Sequence, residues 1–170
     1  MPEYGISLGS NLGDRLAQLQ TARQQVLALA DIQELAASPA YETEAVDVAP
    51  EHRHLAFLNA VLIIQSPAPP PELLQKLKSI EAAMGRTRGA DRNAPRPIDL
   101  DIIYAGRLVQ NTDSLILPHP RWMQRRFVVQ PLADVRPDLV LPNTPQPVKT
   151  VLLSLPGRPN VVLFSRIWME

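Results

Sequence analysis

Apolar residues recur along this chain with two different periods, and the switches between them mark its elements. In "YGISL", residues 4–8, the run is short and aliphatic, as a strand requires, and "GSNLGD" then breaks it. Leu16, Leu19, Val26 and Ala30 follow near helical spacing, with Asp14 suited to the first turn. "DIQELAASPAYETEAV" reads as a second extended segment, and "FLNAVLIIQS" is the clearest strand, rich in aliphatic and β-branched residues. Prolines 69–71 open a second helix whose core stripe is Leu73, Leu77, Ile80 and Met84 and whose stop is Gly85. An arginine-rich loop over 86–97 leads into the strand "IDLDII", which turns at Ala105 and Gly106. Downstream, "PRWMQRRFVVQ" predicts a third helix ending before Pro131, and "DLVLP" predicts a short strand. The tail from Val148 predicts one more helix and a terminal strand.

The order β-α-β-β-α-β predicts an α+β fold with a ferredoxin-like core, helices packing on an antiparallel sheet. A chain of 170 residues suits one domain with ample apolar content for a core. There is no internal repeat, and the only biased segment is the short proline cluster "SPAPPP". A formal net charge of zero provides no chain-wide field toward nucleic acid or membrane, so any electrostatic function must be local. The absence of cysteine excludes a disulfide scaffold and thiol chemistry and suits a reducing cytoplasm. No apolar run is long enough to span a bilayer, and the first residues lack the pattern of a secretory signal. The expectation is a soluble, cytoplasmic domain.

Chemistry concentrates in "RPIDLDIIYAG", residues 96–106. Ile98, Leu100 and Ile102 alternate with Asp99 and Asp101, so a strand puts both carboxylates on one face. Their Cα atoms would lie roughly 6.6 Å apart at ~3.3 Å rise per residue. At ~5 Å two such charges repel by about 3 kcal/mol at an effective dielectric near 20, and by under ~1 kcal/mol in open water. On a solvated strand the pair is decoration. In a partly enclosed site it needs a cation, and hard Mg²⁺ prefers one or two carboxylates plus substrate phosphates. With His52, His54 and His119 the only imidazoles and no cysteine, the composition disfavours a zinc cage.

Arg86, Arg88, Arg92 and Arg96 stand in and beside the preceding loop against a single acid, Asp91. Alone, this is equally a solvated basic loop. Next to an acid pair, guanidinium forks that grip phosphate oxygens point to phosphoryl-group transfer, with Gly89 and Ala90 letting the loop close and open. "LGSNLGDR", residues 8–15, sits at a strand-to-helix junction where exposed N–H groups can meet an anion. It matches neither dinucleotide nor P-loop glycine patterns and reads equally as a tight turn.

Four stretches, "ISLGSNLGDR", "YETEAV…FLNAV", "GRTRGADRNAPRPIDLDII" and "LPHPRWMQRRFVVQPL", together resemble the 6-hydroxymethyl-7,8-dihydropterin pyrophosphokinases of folate synthesis. The resemblance runs over nearly the whole chain. It implies a three-layer ferredoxin-like fold, a single pyrophosphokinase domain over 1–170, and transfer of pyrophosphate from ATP to a reduced pterin with two Mg²⁺ ions. It also implies a monomer or weak homodimer with no nucleic-acid or membrane partner. By position, Asp99 and Asp101 would hold the metal, and Arg86 and Arg96 would act on the phosphates. Glu81, Arg88, Arg92, Ile102, His119 and Arg125 match nucleotide-side positions. Thr43, Glu44 and Val46 would line the pterin pocket, Asn59 would read the pterin edge, and Phe57 and Phe127 would sandwich the ring. Asn93 stands where many relatives carry a loop tryptophan, Gly89 where many carry a basic residue and Ile116 where many carry a hydroxyl. The stretch between Thr43 and Phe57 is a few residues longer than in short members, and no motif covers the tail past Leu155. A ferredoxin-like nucleic-acid-binding module, a two-metal phosphoesterase and a catalytically impaired relative are the rival readings.

Overall fold

The computed structural model describes residues 1–45, 48–87, 89 and 94–168. A long antiparallel sheet forms its middle layer. β1 (Glu3–Ser10) lies between β4 (Phe57–Gln65) and β5 (Asp99–Ala105). The far side of β4 pairs with both β2 (Gln33–Ala37) and β3 (Ala40–Thr43). β8 (Val161–Ser165) then extends the sheet beyond β3. This is the expected ferredoxin-like order with an extra edge strand.

The single extended segment anticipated over 31–46 is two strands. They separate at Ser38-Pro39, where Ser38 donates its N–H to Val61 O at 2.9 Å while its Oγ accepts from Val61 N at 2.8 Å. Proline has no N–H for a ladder, and the serine hydroxyl stands in for the interrupted pairing. β1 also runs through Gly9 and Ser10 rather than stopping at Leu8, which keeps Gly9 in register with both neighbours and Ser10 with β4.

Helices α1 (Arg15–Leu27) and α2 (Pro70–Ala83) cover one face. Asp14 caps α1 by accepting from Ala17 N at 3.1 Å, and the helix ends before Ala30. Gly85, at φ +91°, provides the left-handed stop just beyond α2. Leu19, Val26, Leu73, Leu77 and Ile80 bury against Ile6, Leu8, Leu62, Ile64, Leu100 and Ile102. The opposite face is covered by α3 (Arg126–Val135) and α4 (Val148–Ser154). There Val61, Ile63, Ile103 and Tyr104 pack on Trp122, Val128, Val129, Leu132 and Val148. β4 therefore feeds both cores, Val61 and Ile63 to one and Leu62 and Ile64 to the other, which explains its unbroken apolar run.

Two downstream expectations change. "PRWMQRR" starts as a 3₁₀ turn, Trp122–Gln124, and α3 continues through Pro131 to Val135. Proline removes one helical bond there, and its buried ring packs into the core as compensation. Residues 138–142 are not a strand. Leu139 O accepts from Val148 N at 2.9 Å at the start of α4, and Leu141 is buried, so an apolar alternation serves a packed turn. A small hairpin, β6 (Gln110–Asn111) and β7 (Ile116–Leu117), also forms where no element was anticipated. The terminal helix and strand expected in the tail are α4 and β8. Among the described residues no helix is long and apolar enough to cross a membrane.

Candidate active site

The aspartates sit where the second helical layer leaves the sheet uncovered. Ile98, Leu100 and Ile102 are buried in the core on the α1–α2 side, so Asp99 and Asp101 face the other way as the alternation requires. Across the sheet their partners are small: Asp99 pairs with Gly9 and Asp101 with Ser7. Gly9 in turn pairs with Asn59. An acid, a bare backbone and an amide thus lie in one row across β5, β1 and β4, and the missing side chain at Gly9 opens the floor between them.

Two cavities meet over this floor. The first, about 450 Å³, is bordered by Thr43, Glu44, Phe57, Asn59 and Phe127, the predicted pterin set. The second, about 490 Å³, is bordered by Glu81, Arg86 and His119 together with Lys78. Arg96, Asp99, Asp101, Arg121 and Arg125 border both. The acids lie on the shared wall, with cations around them. Ile102 is buried in the α1–α2 core and borders neither cavity. Val46, Arg88 and Arg92 lie outside the described residues.

In the first cavity Asn59 is buried, and its Nδ2 donates to Thr43 Oγ1 at 3.0 Å. This bond orients the amide. The Arg125 guanidinium stands 5.6 Å from the centroid of the Phe127 ring, joining the aromatic wall to the shared cationic wall.

In the second cavity Arg86 links two acids. Its Nη1 lies 2.9 Å from Glu81 Oε2 and 2.5 Å from Asp99 Oδ1. Burial alone would lower the Arg86 pKa, but the charges of Asp99 and Glu81 outweigh it and raise the value. Glu81, on α2, is itself buried and accepts from Leu100 N at 2.8 Å. Arg96 Nη1 approaches Asp99 Oδ2 at 3.5 Å. Burial and the Asp99 charge push the Asp101 carboxyl up to about 7, against the pull of Arg125. Burial, then Arg125 and Arg121, pushes His119 down to about 4. Its Nδ1 accepts from Arg121 N at 3.1 Å, as a neutral imidazole can.

Sequence reasoning did not single out Ser7, Gly9, Lys78, Arg121 or Pro159, all of which border the cavities. Arg121 had a usable signal, since it lies two residues past His119 in the quoted "LPHPRWMQR". Ser7, Gly9 and Lys78 enter through register and helix face, and Pro159 through the tail.

On a ferredoxin-like sheet, the acid pair thus lies on the wall between an aromatic–amide pocket and a cationic one. The family model described as 7,8-dihydro-6-hydroxymethylpterin-pyrophosphokinase (HPPK) matches residues 5–137, and the chain belongs to that family. It is 42% identical to the folic acid synthesis protein fol1 of Pneumocystis carinii, over 82% of this chain and 18% of that protein. It is 39% identical to fol1 of Schizosaccharomyces pombe, over 94% of this chain and 21% of that one. The chain thus spans about a fifth of the length of these curated relatives, 18% and 21%. Among solved structures, an HPPK-DHPS in complex with substrates superposes with a TM-score of 0.68 at 13% identity, over 90% of this chain and 43% of that one. The wild-type Plasmodium falciparum HPPK-DHPS gives 0.66 at 14% identity, again over 90% and 43%. These likenesses show the shared fold.

Proposed function

We propose that this chain is a single pyrophosphokinase domain that transfers the β,γ-pyrophosphoryl group of ATP to the hydroxymethyl group of 6-hydroxymethyl-7,8-dihydropterin, releasing AMP. The observation that carries this reading is the shared wall: Asp99 and Asp101 border both the aromatic–amide cavity and the cationic one. Transfer between two substrates needs their reacting atoms to meet, and a common boundary lined with charge is where they would.

In this reading Phe57 and Phe127 bracket the pterin ring, while the Thr43–Asn59 pair meets its hydrogen-bonding edge. His119, as a neutral imidazole, and Arg86 contact the triphosphate from the other side. Arg96, Arg121 and Arg125 face the phosphates across the wall and stabilise charge on the departing α-phosphate oxygen. The pterin hydroxyl oxygen attacks the β-phosphorus, the bond to the α-phosphate oxygen breaks, the hydroxyl proton is released, and AMP leaves. Positioning and electrostatics supply the rate.

Two half-buried carboxylates two residues apart fit a hard divalent cation that completes its shell with phosphate oxygens, and the burial and Asp99 charge that raise the Asp101 pKa are costs such a cation would offset. Asp99 and Asp101 would hold Mg²⁺ there, with Arg86 yielding its place beside Asp99. When bound, the metal supplies charge neutralisation of the phosphate oxygens.

The test is product analysis. Incubation with Mg²⁺-ATP and the pterin should yield AMP, only when both substrates are present. Asp99→Ala and Asp101→Ala should each lower turnover by at least about 10²-fold while the proteins remain folded. Full turnover in both variants would remove the acids from the reaction, and ADP or free phosphate as product would point to a different transfer.

A further inference from the structure

The tail beyond Leu155, outside the region matched by the family model, does more than widen the sheet. Pro159 borders the aromatic–amide cavity beside Glu44 and Phe57. One residue on, the Asn160 N–H donates to Glu44 Oε1 at 3.0 Å. Val161 then pairs with Thr43, the residue that orients the Asn59 amide. The backbone of the tail is thereby tied to two cavity-bordering residues, Thr43 on β3 and Glu44 at its exit.

The fastening continues along the segment. The Phe164 ring lies 5.7 Å from the Arg15 guanidinium, which also bonds Glu42 Oε2 at 2.7 Å and Ala56 O at 2.9 Å. At the far end Trp168 is 1% exposed within the α1–α2 core, and its Nε1–H donates to Ser38 O at 2.7 Å. A buried, hydrogen-bonded tryptophan anchors the segment like any core residue. With the tail held at Ser38, Arg15 and β3, Pro159 and Asn160 have little freedom to move away from the cavity.

We infer that the tail forms one wall of the pterin-binding lobe, with Asn160 as a positioning residue for Glu44 and Pro159 as a shape-determining contact. The Asn160 amide holds one carboxylate oxygen of Glu44. The other is left to accept from an N–H group of the ligand, and the amino-pyrimidinone edge of a pterin is rich in such donors. Pro159 contributes a rigid apolar surface that narrows the lobe around a planar ring. This inference rests on the reading of that cavity as the pterin site, and it assigns pterin affinity, rather than nucleotide affinity, to the tail.

The experiment compares wild type, Asn160→Pro and Pro159→Gly in the full chain. Asn160→Pro deletes the N–H donor, and Pro159→Gly removes the wall while leaving that donor in place. Binding of 6-hydroxymethylpterin, a non-reacting probe, and of Mg²⁺-ATP are measured separately by calorimetry. Each variant should weaken pterin binding by about tenfold, the scale of one hydrogen bond or one apolar contact, with ATP affinity within about twofold of wild type. The KM for the pterin substrate should rise by a larger factor than kcat falls. Pterin affinity within twofold of wild type in both variants would overturn the tail's role. Equal loss of pterin and ATP affinity would do the same, because it would mark a general disturbance of the fold. Failure of wild type to bind the pterin at all would instead overturn the reading of the cavity.

Discussion

Asn11 illustrates how much of this site is set by single residues that carry no charge. It is buried, its Oδ1 accepts from Arg96 N at 2.8 Å, and its own N–H donates to Arg96 O at 3.3 Å. The end of β1 therefore clamps the backbone from which the Arg96 guanidinium reaches toward Asp99. Asn11→Ala removes one of the two bonds, with an expected stability loss of about 1–2 kcal/mol and a larger loss in function, since a loosened arginine no longer meets developing charge in register. The AMP assay should show a kcat lowered by about tenfold or more with little change in ATP affinity; unchanged kcat would deny the clamp a role. Gly9 makes the complementary case. A Cβ there would stand 3.1 Å from Asn59 Oδ1, and Asn59 is already committed to Thr43. Gly9→Ala should weaken pterin binding by about tenfold in a direct titration and spare ATP binding. The acids and arginines were legible in the sequence because charge pairs and forks announce themselves. Gly9 and Ser7 were not, because their place beside Asp99 and Asp101 is a property of strand register, and no single strand contains it.

At the scale of elements, β5 is an edge strand carrying the acid pair, and an edge strand frays unless its outward backbone is satisfied. α2 satisfies it: Glu81 Oε1 accepts from Leu100 N at 2.8 Å, and Oε2 holds Arg86. Glu81→Ala should strand this buried N–H and release Arg86 onto Asp99 alone, costing about 2–4 kcal/mol in urea denaturation. Glu81→Gln keeps an oxygen for Leu100 and should cost less; equal losses in the two would show that the bond to Leu100 is unimportant. The alternation of Ile98 to Ile102 and the stripe from Leu73 to Ile80 made these elements readable in advance, since both follow from one face being buried. Reading failed where burial and hydrogen bonding part company. Pro131 signalled a helix end, yet α3 continues because its ring is buried. The apolar pattern at 138–142 signalled a strand, yet Leu139 bonds to the start of α4.

For the whole molecule, the cleft gathers titratable groups, Asp101 and His119 among them, so stability must vary with pH through them. His119 has the largest downward shift, to about 4 from an ordinary 6.5, caused by burial and then by Arg125 and Arg121. Between those values the unfolded chain takes up a proton that the folded chain refuses. His119 therefore contributes no penalty above about pH 6.5, and a growing one as pH falls toward 4. Asp101 acts in the opposite sense: its carboxyl, raised to about 7, binds a proton in the folded state before the unfolded state does, which favours folding as pH falls through the same window. The two slopes partly cancel in the wild type, so its stability profile alone does not reveal either. Replacing His119 with Gln removes one of them. The variant should lose less stability than wild type between pH 7 and pH 4.5, in urea midpoints taken at a series of pH values, and it can gain stability as pH falls. Parallel profiles would mean that the imidazole is not held neutral by the arginines around it. A steeper decline in the variant would reverse the sign and place a protonated His119 in the folded cleft.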